Sequence, residues 1–342
     1  MSRILVFDQD NRAVDEFVAT ADRGYLLYGN PSVSGELQTK LTIGLADFTS
    51  HMQFGRCVLV EHPSLPPWMG VIDPPWKATL PVQATVYGAA YLLALRVPDA
   101  QRTLTGSISS IIGQMIGEAN MQSDLYVRLG EVSNVDGTTR QETLTQKSVW
   151  EQIRAFCERT ATEVILRPEL VNGQLYLYLD LSSNAGVDTG YLLHDGAQSN
   201  FEITNANVDG SLRNRIIGTG TQSTAQSRIQ AGPFTDEEMS GVMRLRSDVV
   251  QFRDATVLSD LEKKTQTHLE ISAHPRLVVS GNVLLSDAQA ARNLRLGNWY
   301  AMHLSEVYLA GGVHGWRGSM RVVKFFVEED RNAANVTMEA FL

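Results

Sequence analysis

Seven histidines offer the first places to look for chemistry: His51, His62, His194, His268, His274, His303 and His314. An imidazole beside a carboxylate can relay a proton, and imidazoles at helical or hairpin spacing can hold a metal ion. None of the seven stands in HExxH or another short metal motif. His268 and His274 are six apart across a predicted helix end, which is poor ligand spacing, so they read as ordinary core or surface histidines. Glu61-His62 and Asp73 are an acid–imidazole grouping that one hairpin could bring together. Such groups near turns are common without catalysis. Gly218-Thr219-Gly220-Thr221-Gln222-Ser223 resembles a phosphate-binding turn but lacks the GK[ST] ending of a P-loop and the full GxGxxG of a dinucleotide site. It reads as a strand ending in a turn. No GxSxG elbow is present. A carboxylate pair for glycoside cleavage has no fixed spacing, so the sequence is silent on one. Tyr176 and Tyr178 share a strand face and are candidates for sugar stacking, and Trp68 and Trp76 for a contact patch; packing within the protein is the simpler use of all four. Cys57 and Cys157 fit no metal or redox pattern and read as free, buried or half-buried thiols. No catalytic, cofactor-binding or metal residue is assigned.

The elements that must position these residues follow from composition and pattern. The chain has 342 residues, 43% hydrophobic and 20% charged, which describes a folded protein of two or three domains. No apolar run approaches the roughly 20 residues of a membrane-spanning helix. Met1 to Asp8 lacks the longer apolar core of a signal peptide, so synthesis in a cytoplasm without Sec export is expected. The net charge of −9 disfavours holding DNA by counterion release and is compatible with a surface that DNA slides past.

The expected fold class is α+β, mostly β, in three parts. Residues 1–98 read as strands: Ile4–Phe7, Tyr25–Tyr28, Leu37–Ile43, Arg56–Glu61, Met69–Ile72 and Val82–Tyr87, the fourth and fifth joined by a loop stiffened by Pro63, Pro66 and Pro67. Residues 99–183 read as a small α+β insertion. Leu104, Ile108, Ile111, Ile112, Met115 and Ile116 recur at helical spacing, with Thr103 or Thr105 as cap. A polar β-like stretch from Tyr126 to Thr143 follows, then a helix from about Thr145. Ser148-Val149-Trp150-Glu151 has capping-box spacing, one turn inside that helix. Val164–Arg167 and Leu175–Leu179 form a hairpin about Asn172-Gly173. Residues 184–342 return to β, with strands at Phe201–Thr204 and Asn214–Gly218 and a long loop near 219–247. A helix from Asp254 to Leu269 carries Leu258, Leu261, Thr265, His268 and Leu269 on its face. Strands at Leu277–Leu285, Leu294–Leu304, Arg317–Glu328 and Asn335–Leu342 close the chain.

The order of these segments resembles the baseplate hub and tail-tip hub proteins of tailed bacteriophages and related injection systems. The family's first hairpin is matched by Gly55-Arg56-Cys57-Val58-Leu59-Val60 and Gly70-Val71-Ile72. The next strand is matched by Ala84-Thr85-Val86-Tyr87-Gly88 with Tyr91-Leu92-Leu93. Leu104-Thr105-Gly106-Ser107-Ile108 and Ser148-Val149-Trp150-Glu151 match its two helix starts. Asn214-Arg215-Ile216-Ile217-Gly218 opens the second β half, and the helix–Pro275–strand series with Leu296-Gly297-Asn298 closes it. The likeness covers nearly the whole chain.

The resemblance implies two tail-tube-like β-barrel or sandwich domains with the small α+β region inserted. It implies a homotrimer whose pseudo-sixfold ring adapts a sixfold tube to a threefold tip. The implied partners are a distal tail or tube ring protein, the C-terminus of a tape-measure protein, and a central fibre or spike. DNA would pass through the lumen without specific binding, at the tail tip of a virion. The chain stops after the second β half, so host recognition or cell-wall cleavage is expected on another subunit. The Leu37–Ile43 hairpin and the 219–247 excursion would reach neighbouring subunits. No active site is implied. A carbohydrate-active or carbohydrate-binding tail protein is the rival reading.

Overall fold

The computed structural model describes all residues except 29–52, 74–85, 196–199, 210–211, 221–228, 243, 253–254, 256–257, 275, 310–312 and 342. The N-terminal part supplies β1 (Ser2–Phe7), β2 (Ala13–Ala19), β3 (Arg23–Leu26), β4 (Cys57–His62), β5 (Leu65–Ile72), β6 (Val86–Gly88) and the short helix α1 (Tyr91–Ala94). The middle supplies β7 (Arg102–Gly106), α2 (Ile108–Gln122), β8 (Val127–Ser133), β9 (Arg140–Leu144), α3 (Val149–Arg159), β10 (Glu163–Val171) and β11 (Gln174–Ser182). There follow β12 (Asp188–His194), β13 (Phe201–Asp209), β14 (Arg215–Gly220), β15 (Gln230–Thr235), α4 (Glu237–Val242), β16 (Ser247–Phe252) and α5 (Leu258–Ala273). Last come β17 (Arg276–Leu284), α6 (Ala288–Asn293), β18 (Trp299–Leu309), β19 (Val313–Glu328) and β20 (Ala333–Phe341). The fold is α+β and mostly β.

A five-stranded sheet, ordered β2-β1-β4-β5-β6, lies in the middle of the stack. Its strands alternate side chains between two cores. Ile4, Val6, Val58, Val60, Trp68 and Ile72 pack with the buried face of a seven-stranded sheet ordered β12-β18-β19-β20-β17-β13. Leu5, Phe7, Cys57, Leu59, Met69 and Val71 point the other way, into a core built with α1, α2, α3 and the sheet β10-β11-β8. Burial on both faces explains why β1 and β4 read as continuous apolar runs. The chain also crosses between sheets: β3 leaves its sequence neighbours and pairs with β19 of the seven-stranded sheet.

Local chemistry sets the element ends. Ser148 accepts from the Glu151 N–H while the Glu151 carboxylate accepts from the Ser148 N–H, so this capping box opens α3 at Val149, about 1 kcal/mol of local stabilisation. The helix expected from Thr145 therefore starts later, because the Gln152 side chain binds Thr145 and Lys147 and curls 145–147 into a turn. Leu104 lies in β7, not on α2; Ser107, whose hydroxyl accepts from the Ser110 N–H, is the cap in place of Thr103 or Thr105. Asn172 (φ 51°) and Gly173 (φ 79°) make the tight turn of the β10–β11 hairpin, where positive φ at both positions suits the strand twist. Pro66 and Pro67 lie inside β5 at a register shift, where no ladder N–H is demanded, so the predicted loop shrinks to the turn before Leu65.

The 219–247 stretch differs most from expectation. β14 runs on to Gly220, Gln230–Thr235 is β15 and Glu237–Val242 is α4. Ala231 is buried, and Phe234 and Met239 pack against the small clusters beneath α5, while Leu245 is exposed. Helix α5 itself runs from Leu258 to Ala273, and Leu258 is exposed, not part of its buried face. β2 and α6 were not expected from the sequence. The expected strand Leu37–Ile43 lies outside the described residues, as do Trp76, His51 and Thr221–Ser223.

The two-faced sheet makes a direct prediction. Leu59→Ala, at 1% exposure, should cost about 2–5 kcal/mol in urea unfolding. Val18→Ala on β2, at 60% exposure, should stay within about 0.5 kcal/mol. Similar costs for the two would contradict the placement of the sheet.

Candidate functional site: ionic joints between the sheets

The residues singled out by chemistry are dispersed. Glu61 sits at the turn end of the β4–β5 hairpin in an ion pair with Arg3 at 2.9 Å. His62 accepts at Nδ1 from the Ser64 N–H at 3.2 Å, and burial with the nearby Arg23 charge holds its pKa below the usual histidine value. Asp73 follows the other end of that hairpin, on the order of 20 Å away by strand rise, and accepts a hydrogen bond from the Tyr91 hydroxyl. The three therefore do not meet. Gly218 and Gly220 are glycine for packing reasons. A side chain at Gly218 would collide with the Thr265 hydroxyl of α5, and one at Gly220 with the Ala255 carbonyl. His194 and His303 are register neighbours on β12 and β18. Among the described residues no group of His, Cys, Asp and Glu could hold a metal ion. Cys57 and Cys157 are buried, free, and share one core; burial pushes Cys57 up to about 12 and Cys157 up as well, so both stay thiols.

The aromatic candidates are used internally. Trp68 is 5% exposed, and its indole N–H donates to the Gly24 carbonyl at 3.1 Å. Tyr176 and Tyr178 stack at 6.2 Å on the outer face of the β10–β11 hairpin. Their rings are flanked by Arg128 and Arg167, at 5.7 and 5.0 Å from the ring centroids. Those arginines are in turn held by Asp124 and Asp180. A sugar would have to displace these cations to stack. One crevice, lined by Tyr25, Tyr28, Trp68, Leu166, Pro168 and Leu296, has a volume of about 50 Å³, room for a few waters and not for a sugar ring.

The sites that matter mechanically are two buried ionic joints, which the sequence reading missed. Arg23, on β3, is fully buried and meets Glu329 in the turn after β19 at 2.5 Å. Ser2 of β1 also donates to Glu329, as does the Ala21 N–H at 3.2 Å. Arg23 further donates to the Ala21 carbonyl at 2.7 Å and to Tyr25 at 3.0 Å. One carboxylate thus ties the five-stranded sheet to the seven-stranded one. Burial pushes the Glu329 carboxyl up. The Ser2 and Arg23 hydrogen bonds and the Arg23 charge outweigh it, so the group lies below the usual carboxylate range.

The second joint lies on the far face of the seven-stranded sheet. Arg321 and Glu339 face each other in register on β19 and β20, 2.8 Å apart. Arg321 also reaches Glu163 at the start of β10 at 2.7 Å, and Asn184 at 3.1 Å. Glu163 accepts from the Ala185 N–H at 2.8 Å, and Arg276 approaches Glu339 at 3.6 Å. Here burial dominates at Glu163 and pushes its carboxyl up, against the opposing Arg321 charge. The sequence signal for the second joint was a lone charge inside an apolar strand, as at Arg321 within Met320–Val323; the first, with Arg23 beside Asp22 and Glu329 in a charged turn, had none. The partner is not readable without the pairing.

No protein-family model matches the chain, and no curated protein matches it. Solved structures do match over nearly its full length. The 43 kDa tail protein of prophage MuSo2 from Shewanella oneidensis superposes with a TM-score of 0.57 at 12% identity, covering 98% of each chain. Prophage tail protein gp18 from Listeria monocytogenes gives 0.59 at 14% identity, covering 99% of this chain and 94% of its own. The tail protein from Neisseria meningitidis gives 0.57 at 11% identity, covering 99% and 96%. The chain has the fold of these phage tail proteins.

The two joints should respond to pH with opposite sign. The folded state lowers the Glu329 pKa, so its contribution is full above about 4.3 and is lost as pH falls through the folded value. Glu329→Gln should cost about 3–5 kcal/mol at pH 7, with the gap to wild type closing in acid. The folded state raises the Glu163 pKa, so its contribution is full in acid and declines as pH rises through the folded value. Glu163→Gln should therefore cost less at pH 7 than Glu329→Gln, because Arg321 keeps Glu339. Urea unfolding from pH 4 to 8 reads both, and equal costs with parallel pH profiles would contradict this assignment.

Proposed function

We propose that this chain is a structural component of a bacteriophage or phage-like tail, acting as the hub of the tail tip or baseplate. The observation that carries the reading is the match of the entire chain, end to end, to tail proteins of three prophage or bacterial sources. A local likeness would leave room for a grafted activity elsewhere; a likeness over 98–99% of the chain supports a shared overall role. The layered body, cross-tied by buried ion pairs, suits a part that transmits force without deforming.

In this reading three copies form a ring with pseudo-sixfold character, because each copy contributes two tube-like β domains to it. The ring adapts a sixfold tube to a threefold tip and encloses the channel for DNA and the tape-measure C-terminus. A distal tube ring lies above it and a fibre or spike below. The role is mechanical and the chain is not an enzyme. The flanked tyrosines and the small crevice give the carbohydrate reading no support among the described residues.

Light scattering and negative-stain imaging of the purified chain should give three copies in a ring with a central hole. A compact monomer that cleaves cell-wall polymer, with cleavage lost on replacing one carboxylate, would overturn the proposal.

A further inference from the structure

The outer face of β18 belongs to a row of basic side chains that neither the cores nor the joints use. Tyr300, Met302 and Leu304 of β18 point into the core beneath the seven-stranded sheet, so Trp299, Ala301 and His303 point away from it. His303 lies in register with His194 of β12 on one side and with Arg317 of β19 on the other. Residues in register share a face, with Cβ atoms about 5 Å apart. His194, His303 and Arg317 therefore form one line across three strands.

The surroundings leave this line open. The next pair in register is Ala301 with Ser319, so short side chains flank it. Arg317 and Ser319 are exposed, and His194 and His303 are half-buried. Among the described residues, neither the His303 ring nor the Arg317 guanidinium has a hydrogen-bond or ion-pair partner. Arg321, further along the same face, is the contrast: its charge is spent on Glu339 and Glu163. One carboxylate is close. Asp195 follows His194, and its Oδ1 accepts from the Ser305 N–H at 2.6 Å and from the Ser305 hydroxyl at 2.8 Å. It opposes an anion at the His194 end, which favours a seat between His303 and Arg317.

The donors select the ligand. Arg317 is a fixed cation, and among the described residues no group of His, Cys, Asp and Glu could hold a metal ion. A row of N–H donors with a fixed positive charge takes an oxyanion. A carboxylate has two oxygens, and one guanidinium fork uses both. A phosphate has further oxygens for imidazole N–H groups on the neighbouring strand. We propose that His303 and Arg317, with His194 at the end of the line, bind a phosphate group, as the free ion or as a monoester. The inference does not depend on the assembly reading.

The test is NMR of the histidine rings in the full-length chain, near pH 6 and at constant ionic strength. Seven histidines give seven ring signals, and His194→Gln and His303→Gln identify two of them by their loss. Inorganic phosphate should shift the His303 and His194 signals along a saturable curve and move the remaining signals far less. Acetate and chloride should give only a weak, linear response. Arg317→Gln should weaken phosphate binding about tenfold or more through loss of a charge-assisted pair. Arg317 is exposed, so thermal unfolding of the variant should match wild type and report that it folds. Saturation by inorganic phosphate alone would assign the site to the free ion, and saturation by glycerol 3-phosphate would assign it to monoesters. No saturable shift at either histidine, an equal curve with acetate, or undiminished binding by Arg317→Gln would overturn the proposal.

Discussion

The structure depends on one sheet being buried on both of its faces. β1 and β4 have no polar side to show, and each successive side chain belongs to a different core: Ile4 and Val6 to one, Leu5 and Phe7 to the other. A one-residue slip of either strand would exchange every side chain between the cores, so the register is specified from both sides at once. Each fully buried aliphatic or aromatic side chain on these strands contributes roughly 1.5–3 kcal/mol relative to exposure. The seven-stranded sheet and the helical layer meet chiefly through this sheet; their direct contacts are a small cluster, in which Val323 of β19 packs with Leu27, Ala185 and Ile165 of β10, and the Arg321–Glu163 pair. The N-terminal segment serves all layers, with β3 in the far sheet and Tyr28 bridged to Val164 of β10.

The buried ion pairs are a second constraint, and a costly one. Removing charges from water is expensive, and a buried pair commonly does no more than break even against an apolar pair of the same shape. What Arg23–Glu329 and Arg321–Glu163–Glu339 add is uniqueness of docking, because any other seating of the layers leaves a bare charge inside. Each joint has an arm that crosses between layers, Ser2–Glu329 in one and Arg321–Glu163 in the other, which fits a role in fixing how the layers sit.

Much of this was legible in the sequence where the signal is local. Asn172-Gly173 announced its hairpin, and Ser148 with Glu151 announced a helix start, although the start was placed a turn too early. Signals failed where two structures satisfy one pattern. Leu104 is four residues from Ile108, which suits a helix face, and it is equally at home buried in β7. β2 was missed because Asp15 and Glu16 interrupt its apolar alternation, and α6 because six residues carry almost no periodicity. The small β14–β16 sheet hid in a polar stretch because its core is only a few side chains wide and its Gly218 makes room for Thr265 of α5. The ionic joints were invisible, since pairs such as Arg23 and Glu329 are set by tertiary pairing alone. The resemblance of the motif order to tail hub proteins is legible in the sequence, and the fold is that of phage tail proteins.

The proposed assembly role rests on the layered stack and on the end-to-end likeness of its fold to phage tail proteins. The most direct measurement is immunogold electron microscopy of phage or phage-like particles released by cells carrying this gene, with antibodies raised to the chain. The account predicts gold at one end of the tail, distal to the capsid or sheath. Intact particles that carry no label, with the chain recovered only from the soluble fraction, would contradict it.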